Sequence, residues 1–153
     1  MSQICTVNID DMFEASKNRD TRKNKIHLVL ICDETGIFDA FKTTKEHLGS
    51  MDENFLSLIY YVPQIYLNPL FEREIAILEK RFSHNLYTYT LKAESMNDYL
   101  LQEIIEAIIN SNTNLKMQFR IYGNVEFVDY VSEVLGYLNT DTFSIQVNIL
   151  NQE

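Results

Sequence analysis

The residues best placed to do chemistry stand together in Asp33-Glu34-Thr35-Gly36-Ile37-Phe38-Asp39. They follow the apolar run His27-Leu28-Val29-Leu30-Ile31-Cys32 and lead into residues at helical spacing. A tight turn from a buried strand into a helix is where α/β proteins offer backbone amides to an anion, with glycines that let ligand and backbone approach closely. Here acids take the place of glycines. A carboxylate about 6 Å from a phosphate charge repels it by roughly 1 to 3 kcal/mol, for effective dielectrics from about 60 down to 20. Asp33 and Glu34 therefore cost a phosphate ligand affinity unless they face away from it. They either complement the helix dipole, at about 0.3 to 1 kcal/mol each, or take part in recognising a ligand. A second turn, Gly123-Asn124, closes a later strand.

Other chemistries find less support. A phosphotransfer site needs a second aspartate two residues after the first; that position is Thr35, and no lysine or serine motif follows at later strand ends. His27, His47 and His84 are isolated, so no metal site is expected. Cys5 and Cys32 are too few and too far apart for a metal or disulfide framework. Tyr60, Tyr61, Tyr66, Tyr87 and Tyr89 either pack in the core, stack on an adenine ring or form a protein interface; Tyr66, in the linker, is the exposed candidate.

These residues must be positioned by an alternation of strands and helices. His27 to Cys32 reads as a strand covered on both faces. Ile37, Phe41, Thr44 and Leu48 give the next helix, with Gly49 as its stop. Phe55 to Val62 is a second strand that Pro63 ends. Asn68 with Pro69 predicts a helix start, and Phe71, Ile75, Leu78 and Phe82 form its apolar stripe. A strand over Leu86 to Leu91 follows. Ser95 with Asp98 gives a capping box before a helix bearing Leu100, Leu101, Ile104, Ile105, Ile108 and Ile109, an apolar face wide enough to be buried deeply or partly against another chain. A fourth strand, Lys116 to Tyr122, leads to a helix capped by Asn124 with Val128, Val131, Leu135 and Leu138 inward. Phe143 to Leu150 closes the chain as a strand. The expectation is a three-layer α/β sandwich with a five-stranded parallel sheet in the order 3-2-1-4-5. Residues 1-25 read as an N-terminal arm or linker and 26-153 as one domain.

Composition narrows the function classes. The chain has 153 residues, enough to bury roughly two thirds of its unfolded surface in one core. A net charge of −9 argues against a nucleic-acid face, which needs basic residues. The basic cluster Lys17, Arg19, Arg22, Lys23 and Lys25 reads as a solvated linker. No apolar run approaches the roughly 20 residues of a membrane span and no signal-peptide pattern opens the chain, so a cytoplasmic protein is expected.

The succession "HLVLICDETGI", "FLSLIYYV" before "FEREIAIL", and "RIYGNVEFVDYVSEVLGYL" before a last strand resembles the C-terminal, NAD(P)-binding half of the ferredoxin reductase superfamily over residues 26-150. Thr35, Gly36 and Ile37 match the T-G-I of that family's first turn, G-G-T-G-I-x-P. Asp33 and Glu34 replace its two glycines and Asp39 its proline. At the second turn, C-G-P-P in the family, Gly123 matches, Tyr122 stands for the cysteine and Asn124-Val125 for the prolines. Asp33-Glu34-Thr35 is similar to the D-E-T of siderophore-interacting ferric reductases, although Phe38 departs from that pattern. Arg120-Ile121-Tyr122-Gly123 looks like the flavin motif R-x-Y-S/T, but stands in the wrong half and ends in glycine.

The resemblance implies a dinucleotide laid across the ends of the first and fourth strands, touching Thr35, Gly36, Ile37, Gly123 and Asn124, with Tyr66 nearby. It implies NAD(H) as cofactor, since the basic or serine residues for a 2′-phosphate are missing from Tyr61-Val62-Pro63-Gln64. Hydride would pass to FAD held on a separate chain, because the family's flavin barrel cannot fit in the 25 residues before the first strand. Two roles remain open. One is a non-catalytic or partner-dependent relative, acting in assembly or regulation through a protein partner or homo-oligomer at the apolar third helix or the tyrosine-rich surface. The other is the NAD(H)-binding half of a split, flavin-dependent reductase. Autonomous oxidoreductase activity is not expected.

Overall fold

The computed structural model describes residues 26–50, 55–63, 69–93, 99–111, 116–138 and 144–149. Strands β1 (Ile26–Cys32), β2 (Phe55–Pro63), β3 (Leu86–Ala93), β4 (Lys116–Gly123) and β5 (Ser144–Ile149) alternate with helices α1 (Ile37–Gly49), α2 (Glu72–Arg81), α3 (Leu100–Ser111) and α4 (Val125–Tyr137). β3, β2, β1 and β4 lie side by side in that order, and β5 pairs along the outer side of β4. Every pairing is parallel. β1 is flanked on both sides, matching His27–Cys32 to Phe55–Tyr60 of β2 and Ile26–Cys32 to Lys116–Tyr122 of β4. The chain winds outward from β1 to β3 and then returns to start β4, so the order reverses between β1 and β4. In open α/β sheets that reversal opens a crevice at the strands' carboxyl ends.

The strands divide their side chains between two cores, because successive residues point to opposite faces. Val29, Ile31, Ile59, Tyr61, Phe119 and Ile121 meet Leu101, Ile105 and Ile108 of α3 and Phe127, Val131 and Leu135 of α4. Leu28, Leu30, Cys32, Leu56, Leu58, Tyr60 and Tyr122 meet Ile37, Ala40 and Phe41 of α1 and Ile75 of α2. The result is three layers, helix–sheet–helix. Burial on both faces explains why β1 reads as an unbroken apolar run rather than an alternating one. It also uses much of the wide face of α3, although Tyr99 and Leu100 at its start stay exposed. Thr44, buried within α1, donates its hydroxyl to the Ala40 carbonyl at 2.8 Å.

Two helix boundaries differ from the sequence expectation. α2 starts at Glu72 rather than at Pro69; Asn68 lies outside the described residues, as do Ser95 and Asp98. Its N-cap is Phe71, held in the left-handed region with φ 63° and no side-chain cap. The Phe71 ring stacks on Phe41, centroids 4.9 Å apart, and lies near Phe38. Aromatic packing between α1 and α2 holds Phe71 as the cap of that start, which lies three residues beyond Pro69. At the end of α1, Gly49 is the last helical residue and adopts no positive φ. Ser50 makes the stop instead, its hydroxyl donating to the His47 carbonyl at 2.8 Å.

Candidate functional site

The carboxyl ends of β1 and β4 are tied together by one side chain. Asp33 is the first residue after β1, and its own amide donates to the Tyr122 carbonyl of β4 at 3.2 Å. Its carboxylate turns inward and is only 6 % exposed. Oδ1 accepts from the Thr35 hydroxyl at 2.7 Å and from the Gly36 amide at 2.9 Å. Oδ2 accepts from the Asn124 amide at 3.3 Å. A buried carboxylate is stable only when such donors replace its hydration. These donors sit at the starts of α1 and α4, where the helix dipoles add favourable potential.

Both glycines of the site have a packing reason to be glycine. A Cβ on Gly36 would lie 2.2 Å from the Tyr122 carbonyl oxygen, so α1 can start this close to β4 only without a side chain there. A Cβ on Gly123 would meet Phe127 at 2.7 Å and the Asp33 carboxyl at 2.9 Å. Asn124 caps α4 as its sequence position predicts, with Oδ1 accepting from the Phe127 amide at 2.8 Å. Tyr122, where the resembling family has cysteine, runs its ring toward α1 and places its hydroxyl 3.1 Å from that of Thr43.

Of the predicted site residues, the structure brings Asp33, Thr35, Gly36, Gly123 and Asn124 together. Ile37 is a core residue of the α1 layer. Glu34 and Asp39 are half-buried, while Phe38 is exposed. Tyr66 lies outside the described residues. Tyr60 and Tyr61 are buried in opposite cores. Burial, reinforced by Cys32, Glu34 and Asp33, pushes the Tyr60 phenol well above its ordinary pKa, against the opposing pull of a hydrogen bond to the Leu70 backbone. Burial, together with Asp33, likewise raises the Cys32 thiol.

The amides of Gly36 and Asn124, at the two turns a bridging diphosphate would use, already donate to Asp33. The turn as it stands does not fit that group. Among the described residues no three His, Cys, Asp or Glu side chains gather to hold a metal ion. No helix among them is long and apolar enough to cross a membrane.

Sequence reasoning missed a buried pair at the other end of the sheet, where His27 Nε2 lies 2.8 Å from Ser57 Oγ. Its signal was a histidine and a serine set inside otherwise apolar strands.

No family model matches this sequence, and no curated protein matches it by sequence. Solved structures do match the fold. Ferredoxin-NADP+ reductase from Plasmodium falciparum superposes with a TM-score of 0.61 at 13% identity, over 86% of this chain and 55% of that one. The same reductase with 2′P-AMP gives 0.57 at 12%, over 84% and 54%. The CS-b5R domains of human Ncb5or, in the NAD+ form, give 0.61 at 13%, over 84% and 38%. The chain thus spans about half, or less, of the length of these proteins. At such identities the likeness is one of fold: a parallel, Rossmann-like α/β domain of the kind found in ferredoxin reductase-like proteins.

Proposed function

We propose that this chain is a ferredoxin reductase-like domain whose anion seat is filled by its own Asp33 carboxylate, and that it acts in assembly or regulation with a partner rather than as an autonomous oxidoreductase. The observation that carries this reading is the Asp33 bridge to Gly36 and Asn124. An incoming diphosphate would have to displace a negatively charged group from the donors it needs. It would also leave a carboxylate either buried without partners or a few ångströms from the phosphates, each at a cost of kcal/mol magnitude. The presence of Gly36 and Gly123 does not weigh against this, since close packing alone accounts for them, against the Tyr122 backbone for Gly36 and against the Phe127 and Asp33 side chains for Gly123. Exposed Tyr99 and Leu100 at the start of α3, and Tyr87 on the β3 edge, offer apolar area for a partner.

Calorimetric titration with NADH, NADPH, ADP-ribose and AMP tests the reading. No response is expected from the natural sequence at millimolar ligand, with binding appearing in Asp33→Gly or Asp33→Gly/Glu34→Gly. Saturable binding of NADH or ADP-ribose by the natural sequence, weakened by Thr35→Ala, overturns it and supports the split-reductase role with flavin on another chain. Light scattering in cell extract and in purified form tests assembly, which a strict monomer in both would remove.

A further inference from the structure

We propose that a cavity at the amino ends of β1, β2 and β3, roofed by α3, binds a small aromatic amine. The cavity has a volume of about 500 Å³, within the range of roughly 300 to 1,000 Å³ typical of small-molecule sites. It lies at the opposite end of β1 from Asp33, roughly 20 Å along the strand, and does not depend on the state of the Asp33 turn.

The lining specifies the chemistry of its occupant. Phe55, Tyr87 and Tyr89 present three rings from β2 and β3, and Ile104 and Ile108 supply aliphatic surface from α3. Such a wall favours a flat ring, through offset or edge-to-face contacts. Its floor holds the His27–Ser57 pair, with both residues buried and the hydroxyl and ring nitrogen 2.8 Å apart. A serine hydroxyl has one donor and two acceptor positions, so one bond to His27 leaves it able to take up a ring N–H or hydroxyl.

Charge selects among ring-bearing ligands. Glu103 lines the cavity from the exposed side of α3, and among the described residues the lining contains neither lysine nor arginine. Burial first, then Tyr87 and Glu79, raises the Tyr89 phenol, which keeps it a neutral donor. An ammonium group at the mouth would pair with the Glu103 carboxylate and lie near the tyrosine rings, both attractive contacts for a cation. A carboxylate or phosphate there would find an acid and, among the described lining residues, no lysine or arginine. The net charge of −9 acts in the same direction at long range.

Three indole probes that share a two-carbon linker, tryptamine, tryptophol and indole-3-propionate, separate ring, hydroxyl and charge effects when titrated by two-dimensional NMR. Tryptamine should perturb amides at the amino ends of β1 to β3 and in α3, and bind at least tenfold more tightly than indole-3-propionate, with tryptophol between. Glu103→Gln should remove the preference for the amine while leaving tryptophol binding. Ala107→Phe, at an exposed position on the cavity wall, should abolish binding of both, and Ile104→Trp should repeat that result if the first variant folds poorly. No change at millimolar tryptamine, shifts spread over the acidic surface, unaltered binding in the filled variants, or equal binding of indole-3-propionate would each overturn the proposal. Because the readout sits away from the Asp33 turn, its outcome is separate from that of the nucleotide titration.

Discussion

The Asp33 carboxylate reaches from the end of β1 to the Asn124 amide at the end of β4, with its other oxygen on Gly36, joining two turns 91 residues apart in sequence. The contact makes an acid part of the framework at the point where a nucleotide-binding relative would leave amides open. It ties the crevice together, and under the proposed function it also closes the crevice to an anion.

Removing that carboxylate should therefore weaken the fold while opening the site. Asp33→Ala leaves two amides and a hydroxyl without their acceptor, and should lower stability to urea by about 2 to 4 kcal/mol. Asp33→Asn retains one oxygen acceptor and should cost about half as much. Equal stability of all three proteins in chemical denaturation would mean that the bridge contributes little.

The glycines should separate into tight and tolerant positions. Gly36→Ala places a methyl group against the Tyr122 carbonyl and should destabilise by about 2 kcal/mol or more. Gly136 sits near the end of α4 with nothing within 4 Å of an added Cβ. Gly136→Ala should stabilise by about 0.5 to 1 kcal/mol through helix propensity alone. Thermal melts of the pair check the contrast.

Phe71 combines a strained backbone with a well-packed ring. Phe71→Ala should lose the stack on Phe41 and keep the strain, costing about 2 to 3 kcal/mol. Phe71→Gly loses the same ring but accepts a positive φ, so it should be more stable than the alanine variant by about 1 kcal/mol. The order alanine below glycine is the diagnostic result.

Alkaline stability should follow the buried protonated groups. The folded-state pKa values of Cys32 and Tyr60 are raised above ordinary values of 9.0 and 10.0. In that window the unfolded chain releases protons that the folded chain keeps, so ΔG of unfolding falls as pH rises. The contribution is fully present below pH 9.0 and declines above it, the Tyr60 part from about pH 10 upward. Cys32→Ala and Tyr60→Phe should each flatten the decline, measured as urea midpoints between about pH 8 and 11.

The sequence by itself determined the parallel α/β alternation, because apolar runs of strand length and helices with one apolar stripe are local patterns that translate directly into burial. It also marked Asn124 as a helix cap and placed the acids at the turn after β1. Only the tertiary structure decided which way Asp33 points. Its direction depends on the Gly36 and Asn124 amides converging on one carboxylate, and strand order brings those amides together across most of a hundred residues. The same holds for the start of α2 at Glu72, where Phe71 packs against Phe41, and for the cavity beneath α3, which joins His27 and Ser57 from neighbouring strands. Local pattern carries no record of such meetings, since each is a contact between segments whose separation the chain order alone does not specify.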